Sequence, residues 1–241
     1  MATSLQHLVI DSLDPLAQAR FWAAALGWEI TFQDADEVVV EPVAPDPGLP
    51  LVIVAVPERK TVKNRIHLDL ASTSPADQAA IVERLQTLGA TPVDIGQAGV
   101  PWVVLADPEG NEFCVLEPRE EYGNAGRLAA VVIDAADVDT LADFWAVATG
   151  WPVSARGNGT VSLRAPSGDG PWLEFLPAAE PKAVKDRLHL DVAPALAGDQ
   201  VGEVDRLVAL GAKPADVGQS NARWVVLTDP QGGEFCVLTP R

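Results

Sequence analysis

The chain has 241 residues, of which 48% are hydrophobic and 21% are charged, a composition typical of a folded globular protein and not of a disordered one. Its 17 Lys and Arg residues against 34 Asp and Glu residues give a formal net charge of −17, which repels phosphate backbones, so we expect no nucleic-acid partner. The sequence contains neither an apolar run long enough for a membrane helix nor an N-terminal signal peptide, so we expect a cytoplasmic protein without membrane contact.

The first elements in chain order are a strand, a helix and further strands. Leu5–Ile10 is an apolar strand, and Asp14 followed by Pro15 is the pattern of an N-cap with proline at the first helical position. The helical pattern that follows ends at Gly27. Three β segments come next, at Trp28–Phe32, Val38–Glu41 and Leu51–Val56. The sequence therefore predicts a βαβββ module.

The same order of elements repeats immediately. Ile66–Leu70 is a short strand, Ser74 and Pro75 begin a second helix, and Gly89 follows that helix. Two more strands are predicted at Trp102–Leu105 and Glu112–Leu116, joined by a turn at Asp107–Gly110. Residues 1–119 thus contain two βαβββ halves.

The second half of the chain repeats the first. Trp102–Leu116 returns as Trp224–Leu238 with twelve of fifteen positions identical at an offset of 122, and Val62–Asp69 returns as Val184–Asp191. A repeat of this length can bury its own core, so we expect two domains, at residues 1–119 and 127–241, joined by a linker at residues 120–126. Cys114 and its equivalent Cys236 fall in different repeats, so we expect no disulfide between them.

These motifs together resemble the vicinal oxygen chelate superfamily, to which glyoxalase and bleomycin-resistance proteins belong. The resemblance rests on His7 with Phe21-Trp22 and Leu26-Gly27, on Lys63–Asp69 and Leu88–Ala90, and on Asp107–Leu116, with their equivalents in the second repeat. It implies an α+β fold in which paired βαβββ modules form curved half-barrel sheets around a small-molecule site. In metal-dependent members of the superfamily, the first strands of both halves and the last strand supply the ligands of a divalent ion.

Metal ligands carried over from the resemblance are His7, His67, Cys114 and Glu174. His7 and His67 belong to the first strands of the two halves of the first repeat, so we expect their imidazoles to face a common ion. Cys114 stands where the metal enzymes carry a glutamate, and it is either a thiolate ligand or a small buried hydrophobic residue. The second repeat has Ala130 in place of His7, and Glu174 could join His7 or His67 only in a site built across the repeats.

Other candidate residues follow from strand periodicity and from aromatic character. Period two places Arg65, His67 and Asp69 on one strand face with Lys63, and Arg187 and His189 take equivalent positions in the second repeat. Such a row either binds an anionic or oxygen-rich ligand or orders the strand by ion pairs among its own members. The predicted ligand-binding residues are Arg65, Asp69, Trp102, Trp172, Arg187, His189 and Trp224.

Two functions are open at this point. The absence of the last-strand glutamate from both repeats favours a metal-free protein that binds or sequesters a small organic ligand. The alternative is a lyase, isomerase or dioxygenase of glyoxalase type with one zinc, iron, manganese or nickel ion in the first domain, where His67 and Glu112 are the predicted catalytic residues. In both cases we expect the partners to be a small molecule and the paired domain, with homodimer formation as a further arrangement. Trp22 and Trp145 fall in helical patterns and are predicted to be core residues.

Overall fold

A computed structural model describes residues 3–97, 99–178, 182–219 and 222–241, and within them the chain forms four α-helices and two eight-stranded sheets. The elements of the first repeat are β1 (Ser4–Ser12), α1 (Pro15–Leu26), β2 (Glu29–Gln33), β3 (Glu37–Glu41), β4 (Leu51–Ala55), β5 (Ile66–Leu70), α2 (Pro75–Thr87), β6 (Thr91–Pro92), β7 (Val103–Ala106) and β8 (Glu112–Val115). Those of the second repeat are β9 (Leu128–Ala135), α3 (Val138–Thr149), β10 (Val153–Gly157), β11 (Thr160–Leu163), β12 (Trp172–Pro177), β13 (Leu188–Ala193), α4 (Gln200–Ala209), β14 (Lys213–Pro214), β15 (Val225–Thr228) and β16 (Glu234–Val237). None of the helices in these ranges is both long and apolar enough to cross a membrane.

The first helix of each repeat begins and ends where the sequence predicts. The Asp14 carboxylate accepts a hydrogen bond from the Ala17 amide at 3.0 Å, and Gly27 ends α1 with a φ of 73°. Asp137 and Gly150 do the same for α3. A left-handed residue after the last turn is a common helix stop because glycine adopts that backbone without steric cost.

The two sheets do not correspond to the two repeats. Sheet A has the order β14-β15-β16-β13-β1-β4-β3-β2, and sheet B has the order β10-β11-β12-β9-β5-β8-β7-β6. Each sheet therefore joins the first half of one repeat to the second half of the other. The seams are the antiparallel pairs β1–β13 in sheet A and β5–β9 in sheet B.

One hydrophobic core contains buried residues from both sheets and from the helices. Trp22 and Trp145 are 1% and 2% exposed, which confirms the prediction that they are core residues. Each ring stands edge-on to a phenylalanine in the last strand of its own repeat, Trp22 to Phe113 of β8 at 5.2 Å and Trp145 to Phe235 of β16 at 5.3 Å between centroids. Such aromatic pairs bury much apolar area, so α1 and α3 each connect the two sheets through their tryptophan.

The turn between the last two strands of each repeat also connects the two sheets. The Glu109 carboxylate, in the turn between β7 and β8, accepts hydrogen bonds from the Ser12 hydroxyl at 2.5 Å and the Leu13 amide at 2.8 Å. It also lies 3.0 Å from the Arg187 guanidinium. Gln231, its equivalent, accepts from the Ala136 amide at 2.7 Å. These reciprocal contacts fix the two sheets relative to one another.

Candidate functional site

The register of sheet A brings polar side chains of both repeats onto one face. His7 of β1 pairs with Asp191 of β13, and Asp191 pairs with Cys236 of β16. His189 lies two residues before Asp191 and pairs with Val9, so it belongs to the neighbouring row on the same face. The four side chains therefore come from three adjacent strands, and one of those strands belongs to the other repeat.

The distances among these groups are short. His7 Nε2 lies 2.8 Å from Asp191 Oδ2, and His189 Nε2 lies 3.5 Å from Asp191 Oδ1. Cys236 Sγ lies 3.6 Å from His189 Nε2. Asp191 is only 5% exposed, and its Oδ1 is a buried oxygen without a hydrogen-bond partner in the described part of the chain. A buried acceptor of this kind is costly unless a donor or a cation reaches it.

Burial sets the protonation of two members of the group. It lowers the pKa of His189, against the opposing effect of the nearby Asp191 carboxylate, so the imidazole is neutral at neutral pH. Burial also raises the pKa of Cys236 far above its usual range, so the sulfur is a thiol and a weak nucleophile.

A cavity of about 500 Å³ lies over this cluster, a size typical of small-molecule sites. The sheet-A cleft, as we name this cavity, has a floor formed by His7, His189, Asp191 and Cys236. Its walls carry apolar side chains, among them Val9, Val39, Val52, Val54, Phe32 and Trp224. The rings of Phe32 and Trp224 are 46% and 38% exposed, so two large apolar surfaces are available to a ligand in the cleft.

The equivalent face of sheet B has a different set of groups. Ala130 stands where sheet A has His7, and Glu174 stands where sheet A has Val52. The remaining trio is the same, since His67, Asp69 and Cys114 offer ligand atoms within 4.8 Å of one another. Glu174 and His67 both pair with Val132, so these side chains of different repeats share one sheet face.

The linker between the repeats covers this face of sheet B. A short 3₁₀ helix at Glu120–Tyr122 places Tyr122 in a hydrophobic cluster with Cys114 and Ala130, where it is 6% exposed. The Tyr122 hydroxyl donates to Glu174 Oε1 at 3.0 Å, and the ring stands edge-on to Trp172 at 6.4 Å. We name this arrangement the Tyr122 plug.

Two arginines contact the aromatic rings at and around the plug. The Arg119 guanidinium lies 5.7 Å from the Trp102 ring centroid and 5.8 Å from that of Tyr122, within the range of cation–π contacts. The Arg164 guanidinium lies 4.6 Å from the Trp172 ring centroid. The predicted ligand-binding residues Trp102 and Trp172 therefore already contact side chains of this chain.

Burial beneath the plug shifts two pKa values in opposite directions. It lowers the pKa of His67 to about 4, and it raises the pKa of Asp69 to about 7, with the Glu174 carboxylate adding to the latter shift. Their closest atoms, His67 Nε2 and Asp69 Oδ1, are 3.6 Å apart. Near neutral pH the imidazole is neutral and the carboxyl is partly protonated, so the cluster carries little charge.

The expected meeting of His7 with His67 does not occur. His7 lies in sheet A and His67 in sheet B, because β1 pairs with β13 of the second repeat and not with β5. The partner of His7 is the Asp191 carboxylate, which was not among the predicted site residues. Sheet B places Glu174 and His67 on one face, on either side of β9, but the partner of Glu174 is the Tyr122 hydroxyl and not His67.

Other predicted residues lie outside both clusters. The Glu112 carboxylate pairs with the Lys60 ammonium at 2.6 Å and accepts from the Asn64 amide at 3.1 Å, so it takes part in a structural ion pair. Lys63, Arg65, His67 and Asp69 do not form one row on a strand, because β5 begins only at Ile66. Lys63 and Arg65 lie in the segment before it. Arg65 lines a different cavity, described below, and so does Arg187. Cys114 and Cys236 are free and buried, which confirms the absence of a disulfide.

His189 and Trp224, both predicted to contact ligand, do line the sheet-A cleft. Sequence reasoning missed the pairing of His7 with Asp191, and it missed Tyr122 and Arg119. One signal for the plug was available, because Tyr122 is the only tyrosine of the chain and it stands in an otherwise polar linker.

The floor of the sheet-A cleft fits a divalent metal ion chemically. Tetrahedral zinc ligands at the usual bond lengths are about 3.3–3.7 Å apart, similar to the separations of His189 from Asp191 and Cys236. His7 would supply a second imidazole, and the unpartnered Oδ1 of Asp191 is an oxygen that a cation would satisfy. The neutral thiol of Cys236 would have to lose its proton on binding.

Comparison with known proteins agrees with this architecture. Among solved structures, glyoxalase I from Zea mays is similar with a TM-score of 0.70 at 13% identity, and the alignment covers 99% of this chain and 92% of that one. A putative dioxygenase from Bacillus subtilis is similar with a TM-score of 0.62 at 14% identity, covering 99% of this chain and 86% of that one. At such identities the likeness concerns the fold alone. A search of curated proteins finds no match.

The profile of the glyoxalase-like domain family matches the sequence twice, at residues 7–116 and 130–238. These two segments together cover most of the chain and coincide with the two repeats. The chain therefore belongs to the glyoxalase-like domain family of the vicinal oxygen chelate superfamily and carries two such domains in tandem.

Proposed function

We propose that this protein binds a small organic ligand in the sheet-A cleft, and that the equivalent face of sheet B is not a ligand site. The observation that carries the proposal is the contrast between the two faces. Sheet A has an open cavity of about 500 Å³ with exposed aromatic rings, whereas the Tyr122 plug packs onto sheet B. A concave apolar pocket with a few converging polar groups is the usual form of a small-molecule site.

The chemistry of the cleft describes the ligand. Apolar walls with the rings of Phe32 and Trp224 favour a flat or partly aromatic body. On the floor, Asp191 Oδ1 accepts no hydrogen bond from the part of the chain that the structure describes, with His189 Nε2 3.5 Å away, so it favours a ligand with a hydroxyl or N–H group. The neutral imidazole of His189 can donate or accept a second hydrogen bond to the same ligand.

Two equivalent tryptophans provide a matched test. Trp224 lines the sheet-A cleft, and Trp102 is its equivalent on sheet B, and each indole donates to a glutamine side chain at 2.9 Å. Aromatic fragments that carry a hydroxyl or amide group would be screened by ligand-observed NMR, and the dissociation constants of hits measured by titration. We expect Trp224→Ala to weaken binding about tenfold, which corresponds to loss of roughly 1.4 kcal/mol of stacking and burial. Trp102→Ala should leave binding unchanged, and an equal loss in both variants would contradict the proposal.

A second candidate, divalent-metal chemistry in the same cleft, is favoured by one specific observation. One imidazole, a carboxylate and a thiol, those of His189, Asp191 and Cys236, converge there at separations typical of metal ligands, and the His7 imidazole is hydrogen-bonded to the same carboxylate. A bound ion would supply Lewis-acid polarisation of a ligand oxygen. Against this candidate, the same trio of His, Asp and Cys is present on sheet B, where the Tyr122 plug packs beside it and the second imidazole is missing, so the trio alone does not require a metal.

Metal analysis would separate the two candidates. The purified protein would be incubated with zinc, manganese, iron(II) or nickel, desalted, and measured by mass spectrometry for metal content per chain. If the metal candidate is correct, we expect one ion per chain and its loss in the double variant His7→Ala, His189→Ala. The variant His67→Ala in sheet B serves as the control and should keep the ion. A protein that retains less than a tenth of an equivalent of every metal while binding fragments normally would exclude the metal candidate.

A further inference from the structure

A second cavity, of about 710 Å³, is larger than the sheet-A cleft. It is bordered by two equivalent segments, residues 58–65 before β5 and residues 182–187 before β13, together with Asp11 and Asp134 at the ends of β1 and β9. We name it the inter-repeat cavity. It touches the sheet-A cleft only through Asp11 and Lys185, whose side chains form an ion pair.

The inter-repeat cavity concentrates positive charge in a protein of net charge −17. Seven of the 17 Lys and Arg residues of the chain line it, against four acidic residues in the lining. Three of the seven, Lys60, Lys182 and Arg187, also form ion pairs with glutamates behind the lining. The seven include two pairs of equivalent positions, Lys63 with Lys185 and Arg65 with Arg187. Because the rest of the molecule repels anions, a basic concavity of this kind is where a small anion would be held.

Several of these donors are not saturated by the surrounding carboxylates. Arg59 is exposed and forms no ion pair within the described ranges. Arg187 is 8% exposed, and its Nε is buried without a hydrogen-bond partner among the described residues. The Arg65 guanidinium donates to the Asp134 carbonyl but lies 3.9 Å from the Asp186 carboxylate, beyond hydrogen-bond distance.

The lysines also keep donors available. The Lys63 ammonium bonds Asp134 at 2.6 Å and the Asn64 carbonyl at 3.2 Å, and its side chain is 40% exposed. The Lys185 side chain is equally exposed and pairs with Asp11. Since an ammonium group has three donors, each lysine can bind a further oxygen without breaking its ion pair.

We propose that the inter-repeat cavity binds a small anion with a phosphate or carboxylate group at each end. The ligand is expected to have two charged ends because the cavity has two equivalent pairs of basic residues. Lys63 and Arg65 of the first repeat would bind one end, and Lys185 and Arg187 of the second repeat would bind the other. Arginine and lysine together are the usual donors to such groups.

The test uses three probes on the full-length protein at constant ionic strength, measured by isothermal titration calorimetry. Inorganic diphosphate and succinate are two-ended, and inorganic phosphate is the single-group reference. We expect saturable one-to-one binding of at least one two-ended probe, at least tenfold tighter than phosphate. The probe that binds more tightly tells whether the natural ligand carries phosphate or carboxylate groups.

Variants locate the binding. Arg59→Ala with Lys63→Ala removes two positive charges from the cavity and should weaken the two-ended probe at least tenfold. Arg20→Ala with Lys213→Ala removes the same charge from exposed positions outside the cavity and should change the affinity less than twofold. Single Arg59→Ala, which breaks no ion pair in the described part of the chain, is the variant to use if the double variant does not fold. Absence of saturable binding by both two-ended probes, or equal weakening by the two double variants, would overturn the proposal.

Discussion

Two side chains distinguish the open face of sheet A from the closed face of sheet B. His7 faces Asp191 in sheet A, and the small Ala130 takes its place in sheet B. Glu174 receives the Tyr122 hydroxyl in sheet B, and the apolar Val52 takes its place in sheet A. In sheet B, Ala130 leaves room for the Tyr122 ring and Glu174 accepts its hydroxyl, whereas His7 and Val52 provide neither feature in sheet A.

The buried carboxyl of Asp69 makes the stability of the protein depend on pH. Burial raises the pKa of Asp69 to about 7 from a model-peptide value of 3.8, so the folded chain holds a proton that the unfolded chain loses. Its contribution to stability is therefore full below pH 3.8 and is lost as the pH rises through 7. We expect Asp69→Asn, which cannot ionise, to raise the free energy of unfolding relative to the natural chain by about 2 kcal/mol more at pH 8 than at pH 5.

Urea denaturation of the two proteins at both pH values measures this difference. The adjacent His67 acts in the opposite direction, because its pKa is lowered to about 4 and the stability that its neutral form provides is lost as the pH falls below 6.5. The comparison removes that contribution, since both proteins contain His67. A stability difference that is the same at pH 5 and pH 8 would show that Asp69 titrates normally.

The types of the site residues could be predicted from the sequence, but their partners could not. His189 was predicted from strand periodicity and Trp224 from its aromatic character, and both line the cleft. The pairing of His7 with Asp191 was not predictable, because it depends on which strands meet across the seam of a sheet. Local pattern constrains which face a side chain takes but not which strand lies beside it.

At the scale of elements, helix caps and turns were predicted well because they depend on neighbouring residues. The Asp107 carboxylate accepts from the Glu109 and Asn111 amides at 2.9 Å, which holds the turn predicted at Asp107–Gly110. Residues 120–126 were predicted only as a linker, yet they begin with a 3₁₀ helix at Glu120–Tyr122 in which Tyr122 is buried. The polar composition of the linker agrees with its exposed residues. The burial of the Tyr122 ring depends on packing against sheet B, which local sequence does not show.

The Tyr122 plug predicts a specific loss of stability. In Tyr122→Phe, the phenylalanine ring still fills the same space, but Glu174 loses the hydroxyl donor at 3.0 Å. The mostly buried carboxyl group then lacks this hydrogen bond. We expect the free energy of unfolding to fall by about 1–3 kcal/mol, the usual cost of an unsatisfied buried polar group.

A double-mutant cycle with Glu174→Gln tests whether that contact is responsible. Chemical denaturation of the single and double variants should give a coupling energy of about 1 kcal/mol or more between positions 122 and 174. Additive losses would mean that the tyrosine stabilises the linker by packing alone.

At the scale of the whole molecule, the sheets cross the boundary between the repeats. The sequence predicts two domains at residues 1–119 and 127–241, and the family profile matches one segment within each of them, at residues 7–116 and 130–238. Each sheet nevertheless takes four strands from each segment, so the pairing of the domains goes through the backbone as well as through side chains. The similarity of the two repeats could not reveal this arrangement, because the first half of a repeat could pair with the second half of the same repeat or of the other one.

Separating the repeats tests this organisation. A fragment of residues 1–119 keeps β4 and β8 but lacks β13 and β9, so β1 and β5 each have one unpaired edge, and we expect the fragment not to form a stable monomer. When mixed with a fragment of residues 127–241, it should give a one-to-one complex that elutes with the natural chain in size-exclusion chromatography. Two fragments that each elute as well-folded monomers and do not associate would contradict the crossed arrangement.

The seam between β1 and β13 has a consequence for how the protein is made. His7 and Asp191 are separated by 184 residues along the chain, so the ribosome completes the first repeat long before β13 leaves the exit tunnel. Until then the open edge of β1 has no partner, and contacts of such sequence separation form slowly. The binding cleft is therefore among the last features of the molecule to assemble, and truncated products of translation cannot contain it.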